Sequence, residues 1–356
     1  MRIIRNMAIG LLPIAVGLAQ AQSSPTAKPD WPKSSPAEQA QDAKTFGGLS
    51  ARIDEKLADI RSVVVVQRGR IVFEYNRSGL TQDSLQSVES VTKSVLSLLV
   101  GIAHSQGQLP DLDRPIVDVM PELGAVNSDP RARAVTVRHL LTMTAGFQSS
   151  ERRFFDPNEL AHYAMSRKFA ADPGAVFRYD NPGSNLLAAV LGKAVGEEPG
   201  KYAQRLLFEP LGIDRTEWET DFQGHSLGFR GLKLRVRDLA KLGQLLLQNG
   251  EWEGRRLIPA DYIATATERQ NNGGPPVGLA YGYMWWVPRA NSPRTTFIAS
   301  GSGGQILWVH TPLNLVVAVT SEVTEASTAR NQALDLTRKE IFQAALKSPL
   351  GPAISP

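Results

Sequence analysis

Apolar side chains recur at Val91, Val95, Leu98, Leu99 and Ile102. That spacing is close to the 3.6-residue period of a helix with one face in a core, and it predicts a helix over 91–105. The runs 62–67 and 71–75 are instead rich in β-branched residues and are joined by Arg68-Gly69-Arg70, which predicts a hairpin. A short helix is expected before it, over 49–60. Beyond 105 the helical period continues through 137–143, 158–167, 183–195, 201–208, 236–248 and 259–268. Strand patterns return at 281–287, 295–299, 305–310 and 315–320. A last amphipathic helix, over 327–346, carries Leu334, Thr337, Ile341 and Ala345 on one stripe. Strands near both ends with helices between them predict an α+β fold. Its antiparallel sheet would be built from both termini and flanked by helices, with an inserted, mainly helical domain and a site in the cleft between the two parts. No internal repeat is present.

The first residues follow a different pattern. Arg2 and Arg5 precede an apolar stretch at 7–18, and Ala19-Gln20-Ala21 has the form of a cleavage site. Together these predict a secretory signal peptide over 1–21, cut after Ala21. The stretch is too short for a permanent membrane anchor, and the mature protein is expected in the periplasm or outside the cell. Residues 22–45, rich in Pro, Ser, Ala and Lys, read as a flexible linker. The main domain is expected at 46–347, its α/β part at 46–89 and 276–347 and its helical part at 90–275, with a tail at 348–356.

Composition narrows the chemistry. The 356 residues include no cysteine, so an exported chain must be stabilised by packing rather than disulfides. The same absence removes a thiolate nucleophile, a cysteine metal site and a lipid-carrying thiol. The formal charge of +4 falls to +2 once Arg2 and Arg5 leave with the leader. With no concentrated basic stripe, nucleic acid is not an expected partner. Metal-ligand spacings are lacking as well. Asp111 and Asp113 lie between Pro110 and Pro115 beside Arg114 and read as a turn. No cofactor is expected, and the pattern specifies no oligomeric state.

Ser90-Val91-Thr92-Lys93 is the only S-x-x-K in the chain, and it opens the predicted 91–105 helix. Helical geometry puts Ser90 and Lys93 one turn apart on one face, so an amine can reach the hydroxyl. Free N–H groups and the positive end of the helix dipole lie at the same place, suited to negative charge on an attacked carbonyl. The competing reading is an N-cap serine followed by a solvated lysine, so the decision rests on partners elsewhere. His104, His139, His162, His225 and His310 have no evident acid partner and read as structural or surface residues. A lysine can serve as base if burial and a neighbouring group lower its pKa. Tyr179-Asp180-Asn181, the only Y-x-N, places a phenol and an amide in a loop before a helix, although Asn-Pro-Gly is also a good turn. Ser300-Gly301-Ser302-Gly303-Gly304 lies between two strand patterns. Glycines there suggest close approach by another group, so the Ser302 N–H could pair with that of Ser90 as an oxyanion hole; alone, the segment reads as a hairpin turn.

In order and spacing these three pieces resemble the serine β-lactamase-like superfamily, which includes class C β-lactamases, D,D-peptidases and related esterases and 6-aminohexanoate-dimer hydrolases. The resemblance runs over roughly 45–345 and takes in Leu109-Pro110-Asp111-Leu112-Asp113, the segment 135–147 and the segment 237–243. It implies Ser90 as nucleophile, Lys93 as base, Tyr179 as general acid/base near the leaving group, and Asn181 as the amide that orients substrate and Lys93. Gly301, Ser302 and Gly303 would border the substrate. Class C β-lactamases carry K-T-G on the strand beside the site, and this chain has none. The departure removes the cation that holds a β-lactam carboxylate and favours the esterase and amide-hydrolase branches. The expected partner is a small ester, amide or short peptide. A penicillin-recognising D,D-peptidase or weak β-lactamase is the alternative, and a non-catalytic binding protein on the same scaffold stays open. Gly224-His225-Ser226-Leu227-Gly228 fits G-x-S-x-G, but no apolar strand precedes it and no helix follows. It therefore reads as a Gly-rich loop beside the cleft rather than a nucleophile elbow. Trp285, Trp286 and Phe147 could line that cleft or pack the core.

Overall fold

The computed structural model describes residues 31–35, 37–39, 43–109, 111–149, 160–288 and 295–347. The expected signal peptide and the C-terminal tail lie outside these residues. Among the described residues, no helix is long and apolar enough to cross a membrane.

After α1 (Ala43–Gly47) and α2 (Leu49–Lys56), the chain enters β1 (Ile60–Gln67) and β2 (Arg70–Asn76). Trp31–Ser35, within the stretch read as a linker, run beside β2. Ser34 N donates to Ile71 O at 3.0 Å and Ile71 N to Pro32 O at 2.9 Å. A small sheet joins β3 (Gln86–Ser87), β4 (Glu217–Trp218) and β5 (Leu232–Leu234). The helical middle comprises α3 (Val91–Ser105), α4 (Val137–Leu141), α5 (Leu160–Ser166), α6 (Asn181–Val195), α7 (Pro199–Ala203), α8 (Val236–Leu247) and α9 (Ala260–Ala266). The short hairpin of β6 (Glu251–Trp252) and β7 (Arg255–Arg256) separates the last two. The rest of the main sheet follows: β8 (Asn271–Gly274), β9 (Leu279–Tyr281), β10 (Trp286–Val287), β11 (Thr296–Gly301), β12 (Gln305–His310) and β13 (Leu315–Ser321).

Eight strands form the main sheet in the order β2-β1-β13-β12-β11-β10-β9-β8, and every neighbouring pair is antiparallel. The first hairpin pairs with the last strand, Val64 opposite Ala318, as expected for a sheet built from both ends of the chain. Both faces are covered. A Cβ on Gly243 of α8 would lie 2.5 Å from Val316 and 2.9 Å from Leu307, so that helix packs flat on one face. On the other face, Trp308 and His310 meet Phe342 with ring centroids 5.7 and 4.9 Å apart. With both faces buried, β1 and β13 read as nearly continuous apolar runs rather than alternating ones.

Two elements differ from the pattern reading. The 281–287 strand is broken between β9 and β10, because Met284 adopts φ +60° and Tyr283 N turns away to Ala266 O. The last helix is interrupted at Asn331, which closes α10 (Glu325–Arg330) in the left-handed conformation, φ 52°. The chain then resumes as α11 (Gln332–Asp335) and ends in α12 (Phe342–Lys347); Thr337, Ile341 and Ala345 still face the core.

Helix α3 departs most from a surface helix, since every residue from Val91 to Ala103 is buried. Its polar side chains have partners: Ser94 Oγ donates to Met284 O at 2.6 Å, and Thr92 Oγ1 to Glu89 O at 2.6 Å. Buried hydroxyls tolerated in this way cost little. Leu307 is 1% exposed beneath α8, and Leu307→Ala should lower stability by about 2–5 kcal/mol. Urea unfolding followed by tryptophan fluorescence would measure the loss.

Candidate active site

Ser90 begins α3, but its side chain makes no capping hydrogen bond to its own helix. Lys93 Nζ reaches it instead, at 2.9 Å from Ser90 Oγ, and also donates to Phe229 O at 2.9 Å. The capped-helix reading with a solvated lysine therefore fails on both residues: Lys93 is 1% exposed. Burial lowers its pKa to about 7, against the opposing pull of the Glu89 and Asp180 carboxylates. The pairing of a half-buried hydroxyl with an enclosed amine poised near neutrality follows from placing a lysine one turn inside a buried helix.

Tyr179 completes the cluster. Burial pushes the pKa of its hydroxyl up to about 12, against an opposing pull from the Ser90 side chain. Its ring centroid lies 4.8 Å from Lys93 Nζ and stacks on Trp286 at 5.7 Å with an interplanar angle of 19°. The phenol stays protonated at neutral pH, and it is burial that holds Lys93 low. Asn181 is the first residue of α6. Its Oδ1 is buried without a hydrogen-bond partner, so it does not hold Lys93 and is an acceptor left over at the start of α6.

The loop carrying Tyr179 and Asn181 is fixed by a pair that pattern reading missed. Arg167 Nη1 and Nη2 donate to Asp180 Oδ1 and Oδ2 at 2.8 and 2.7 Å, with the two side chains 7% and 13% exposed. Met143 adds two contacts, taking Arg178 N on its carbonyl at 2.8 Å and Asp180 N on its sulfur at 3.3 Å. Gly183 makes room for the arrangement, since a Cβ there would sit 2.5 Å from Asp180 Oδ2. Asp180 was visible in the motif; Arg167 carried no signal, because its partner is thirteen residues away across a loop.

On the sheet side, Gly301 ends β11 against the start of α3. A Cβ on it would meet Val88 O at 2.6 Å and Ser90 N at 3.0 Å, so only glycine lets the strand come this close. Ser302 follows and is exposed. Gly303 stands apart: it is buried, and its N–H is taken by Thr328 Oγ1 at 2.8 Å, so it shapes the turn. Glu89, just before the serine, has φ +47°, a strained conformation for a non-glycine residue.

The other candidates fall outside the cluster. Ser226 is tied to α7, its N donating to Glu198 Oε2 at 2.8 Å and its Oγ accepting from Gly200 N at 3.1 Å. Its neighbourhood matters for another reason, because Phe229 presents its carbonyl to Lys93 from the same Gly-rich loop. Four of the five histidines are engaged structurally: His104 with Leu109 O, His139 in the cap of α4, His225 with Asp221, and His310 with Thr296. Phe147, Trp285 and Trp286 are about 2% exposed or less and pack the core. Asp113 pairs with Arg138 in the turn after α3. Among the described residues no group of His, Asp and Glu could hold a metal ion.

Residues 49–339 match the Beta-lactamase family model. The chain belongs to the Beta-lactamase family. That makes it a serine hydrolase of the β-lactamase/transpeptidase-like fold. It is 23% identical over 311 residues to the 6-aminohexanoate-dimer hydrolase of Paenarthrobacter ureafaciens, an alignment covering 79% of this chain and 76% of the relative. Esterase EstB of Burkholderia gladioli is 26% identical over 196 residues, 46% of this chain and 49% of the esterase. Among solved structures, a class C β-lactamase from Rhodobacter sphaeroides superposes with a TM-score of 0.66 at 17% identity, over 85% of this chain and all (100%) of that one.

Two outcomes follow from the electrostatics. Arg167→Ala leaves the Asp180 carboxylate buried without its partner and should cost about 3–5 kcal/mol, while Arg167→Ala with Asp180→Ala should cost less than the sum; chemical denaturation of both variants measures this. Between pH about 7 and 10.5 the unfolded chain keeps the Lys93 proton that the folded chain has given up, so this group's contribution to stability rises with pH there. Lys93→Met should therefore stabilise the protein most below pH 7, with the gain shrinking toward pH 10. Thermal melts across that range would show it.

Proposed function

We propose that this enzyme cleaves a carboxylic ester or amide through an acyl-enzyme on Ser90. The observation that carries the reading is the 2.9 Å contact between Ser90 Oγ and an enclosed Lys93 with a pKa of about 7. The neutral amine takes the hydroxyl proton as Ser90 Oγ attacks the carbonyl carbon. Of the two candidate bases, Lys93 is free to accept at neutral pH, whereas the Tyr179 phenol, at about 12, is a donor. Tyr179 therefore delivers a proton to the leaving oxygen or nitrogen and is reprotonated by the Lys93 ammonium, and water then hydrolyses the acyl-enzyme. The N–H groups of Ser90 and Ser302 would receive the oxyanion, each donor contributing roughly 3 kcal/mol. Asn181 Oδ1, lacking a partner, is placed to accept an N–H from an amide substrate.

The substrate class rests on the strand beside the site. The strand Thr296–Gly301 and the Gly301-Ser302-Gly303-Gly304 turn after it contain no K-T-G and no lysine, so no lysine faces a substrate carboxylate from that strand. Supporting the ester and amide reading, the relatives include a protein named for a dimer hydrolase and another named an esterase. We read 1–21 as an export leader, so the enzyme would work outside the cytoplasm.

Stopped-flow hydrolysis of p-nitrophenyl butyrate tests the mechanism. A burst stoichiometric with enzyme is expected and should vanish in Ser90→Ala; full activity in that variant would remove the proposal. Tyr179→Phe should lower kcat roughly 10²–10⁴-fold with the burst site intact. The acid limb of kcat/KM should fall with an apparent pKa near 7, as Lys93 gains its proton; a flat acid side would exclude lysine as base.

A further inference from the structure

A cavity of about 720 Å3 lies beside α6, away from Ser90, Lys93 and Tyr179, none of which lines it. Its walls are largely apolar, with Leu123, Val126, Leu160, Ala188 and Ala189 among them. Into it faces Asn185, only 4% exposed. The orientation of that amide is set by Gly228 N, which donates to Asn185 Oδ1 at 2.9 Å. The other end is therefore a donor, and Asn185 Nδ2 is buried with no hydrogen-bond partner. A buried amide N–H without an acceptor carries an uncompensated desolvation cost, which an acceptor entering the cavity would recover.

The surrounding charges define what that acceptor belongs to. Four carboxylates line the same cavity, and each already has a partner. Glu122 is 3.5 Å from Lys193, Glu197 pairs with Arg205, and Glu198 accepts from Ser226 N. Asp221 accepts from the N–H groups of Gln223 and His225. The four carboxylates disfavour an incoming anion, and an ammonium has no lone pair with which to accept from Asn185 Nδ2. An apolar wall, one orphan donor and a ring of satisfied acids together select a neutral ligand.

We propose that this cavity is a second small-molecule site, taking an uncharged compound with an apolar body and a carbonyl acceptor that meets Asn185 Nδ2. It adjoins the catalytic cluster through Gly228 and Phe229 but shares no residue with it, and it does not depend on the reaction assigned to Ser90.

The test is calorimetric titration of hexanamide into the full chain carrying Ser90→Ala, with hexanoate as the charged counterpart. Saturable binding of the amide is expected, at least tenfold tighter than that of the acid. Ala189→Phe, at a half-buried helix position on the cavity wall one turn from Asn185, fills the space while keeping the Asn185 side chain. In that variant, and in Asn185→Leu, the amide should bind at least tenfold more weakly. An unchanged melting temperature in Ala189→Phe would attribute its loss to the site rather than to the fold. No saturable binding, equal binding of hexanoate, or full binding in Ala189→Phe would each overturn the proposal. Because all titrations use protein without the Ser90 hydroxyl, failure of ester turnover at Ser90 leaves this result unaffected.

Discussion

An amine buried beside a serine hydroxyl is the constraint on which the rest of the architecture depends. Moving the Lys93 pKa from 10.5 to about 7 corresponds to a preference for the neutral form on the order of 5 kcal/mol, at about 1.36 kcal/mol per pK unit. A free chain would relieve that cost by letting the side chain reach water. Here it cannot, because α3 is surrounded: the sheet lies on one side and helices on the others, and thirteen successive residues from Val91 to Ala103 are out of solvent. The core that stabilises the protein thus also sets the proton affinity of Lys93. Stability and reactivity meet in one side chain, and they pull in opposite directions.

Around that constraint the fold supplies rigid positions rather than further charge. Phe229 presents a carbonyl to Lys93, an uncharged partner that satisfies a hydrogen bond without restoring the ammonium. The carboxylates near the amine are themselves engaged, Asp180 by Arg167 and Glu89 by Ser87 Oγ at 2.7 Å. Removing either partner would sharpen the negative field at Lys93 and raise its affinity for a proton. The Arg167–Asp180 pair accordingly does two things: it anchors the Tyr179–Asn181 loop, and it moderates the charge that the base feels. Stacking of Tyr179 on Trp286, itself buried in the sheet, locks the phenol against the same framework. A site whose groups are held by the sheet, by α6 and by the start of α3 needs little rearrangement when substrate arrives.

The sheet's closure by both chain ends has a consequence for the site as well. β1 and β13 are neighbours, and β11, two strands further, carries Gly301 to within contact of Ser90. The strand that borders the nucleophile is therefore positioned by a register that the first and last parts of the chain set together. The helical middle, by contrast, delivers Tyr179 and Asn181 from a loop steadied by one ion pair and two contacts to Met143.

The sequence alone was enough for the α+β class, the extent of α3 and the reach of Lys93 to Ser90, because each rests on local chemistry. Tyr179 was singled out by its Tyr-Asp-Asn turn and joined to them only by the family resemblance. A 3.6-residue period, a one-turn spacing and a Tyr-Asp-Asn turn are properties of a few neighbouring residues. Departures arose where conformation answers to distant packing. The 281–287 run is rich in aromatic strand formers, yet Met284 turns left-handed where Tyr283 N is drawn to Ala266 O; the last helix breaks at Asn331, whose left-handed conformation closes α10. Asn181 carried a motif, but only the fold shows its Oδ1 without a partner and Lys93 committed elsewhere. Arg167, the Phe229 carbonyl and the amide of Asn185 had no signal at all, since what they do is decided by which residues the chain brings beside them. Proton affinities and orphaned hydrogen bonds are sums over neighbours in space, and a linear order of residues does not contain that sum.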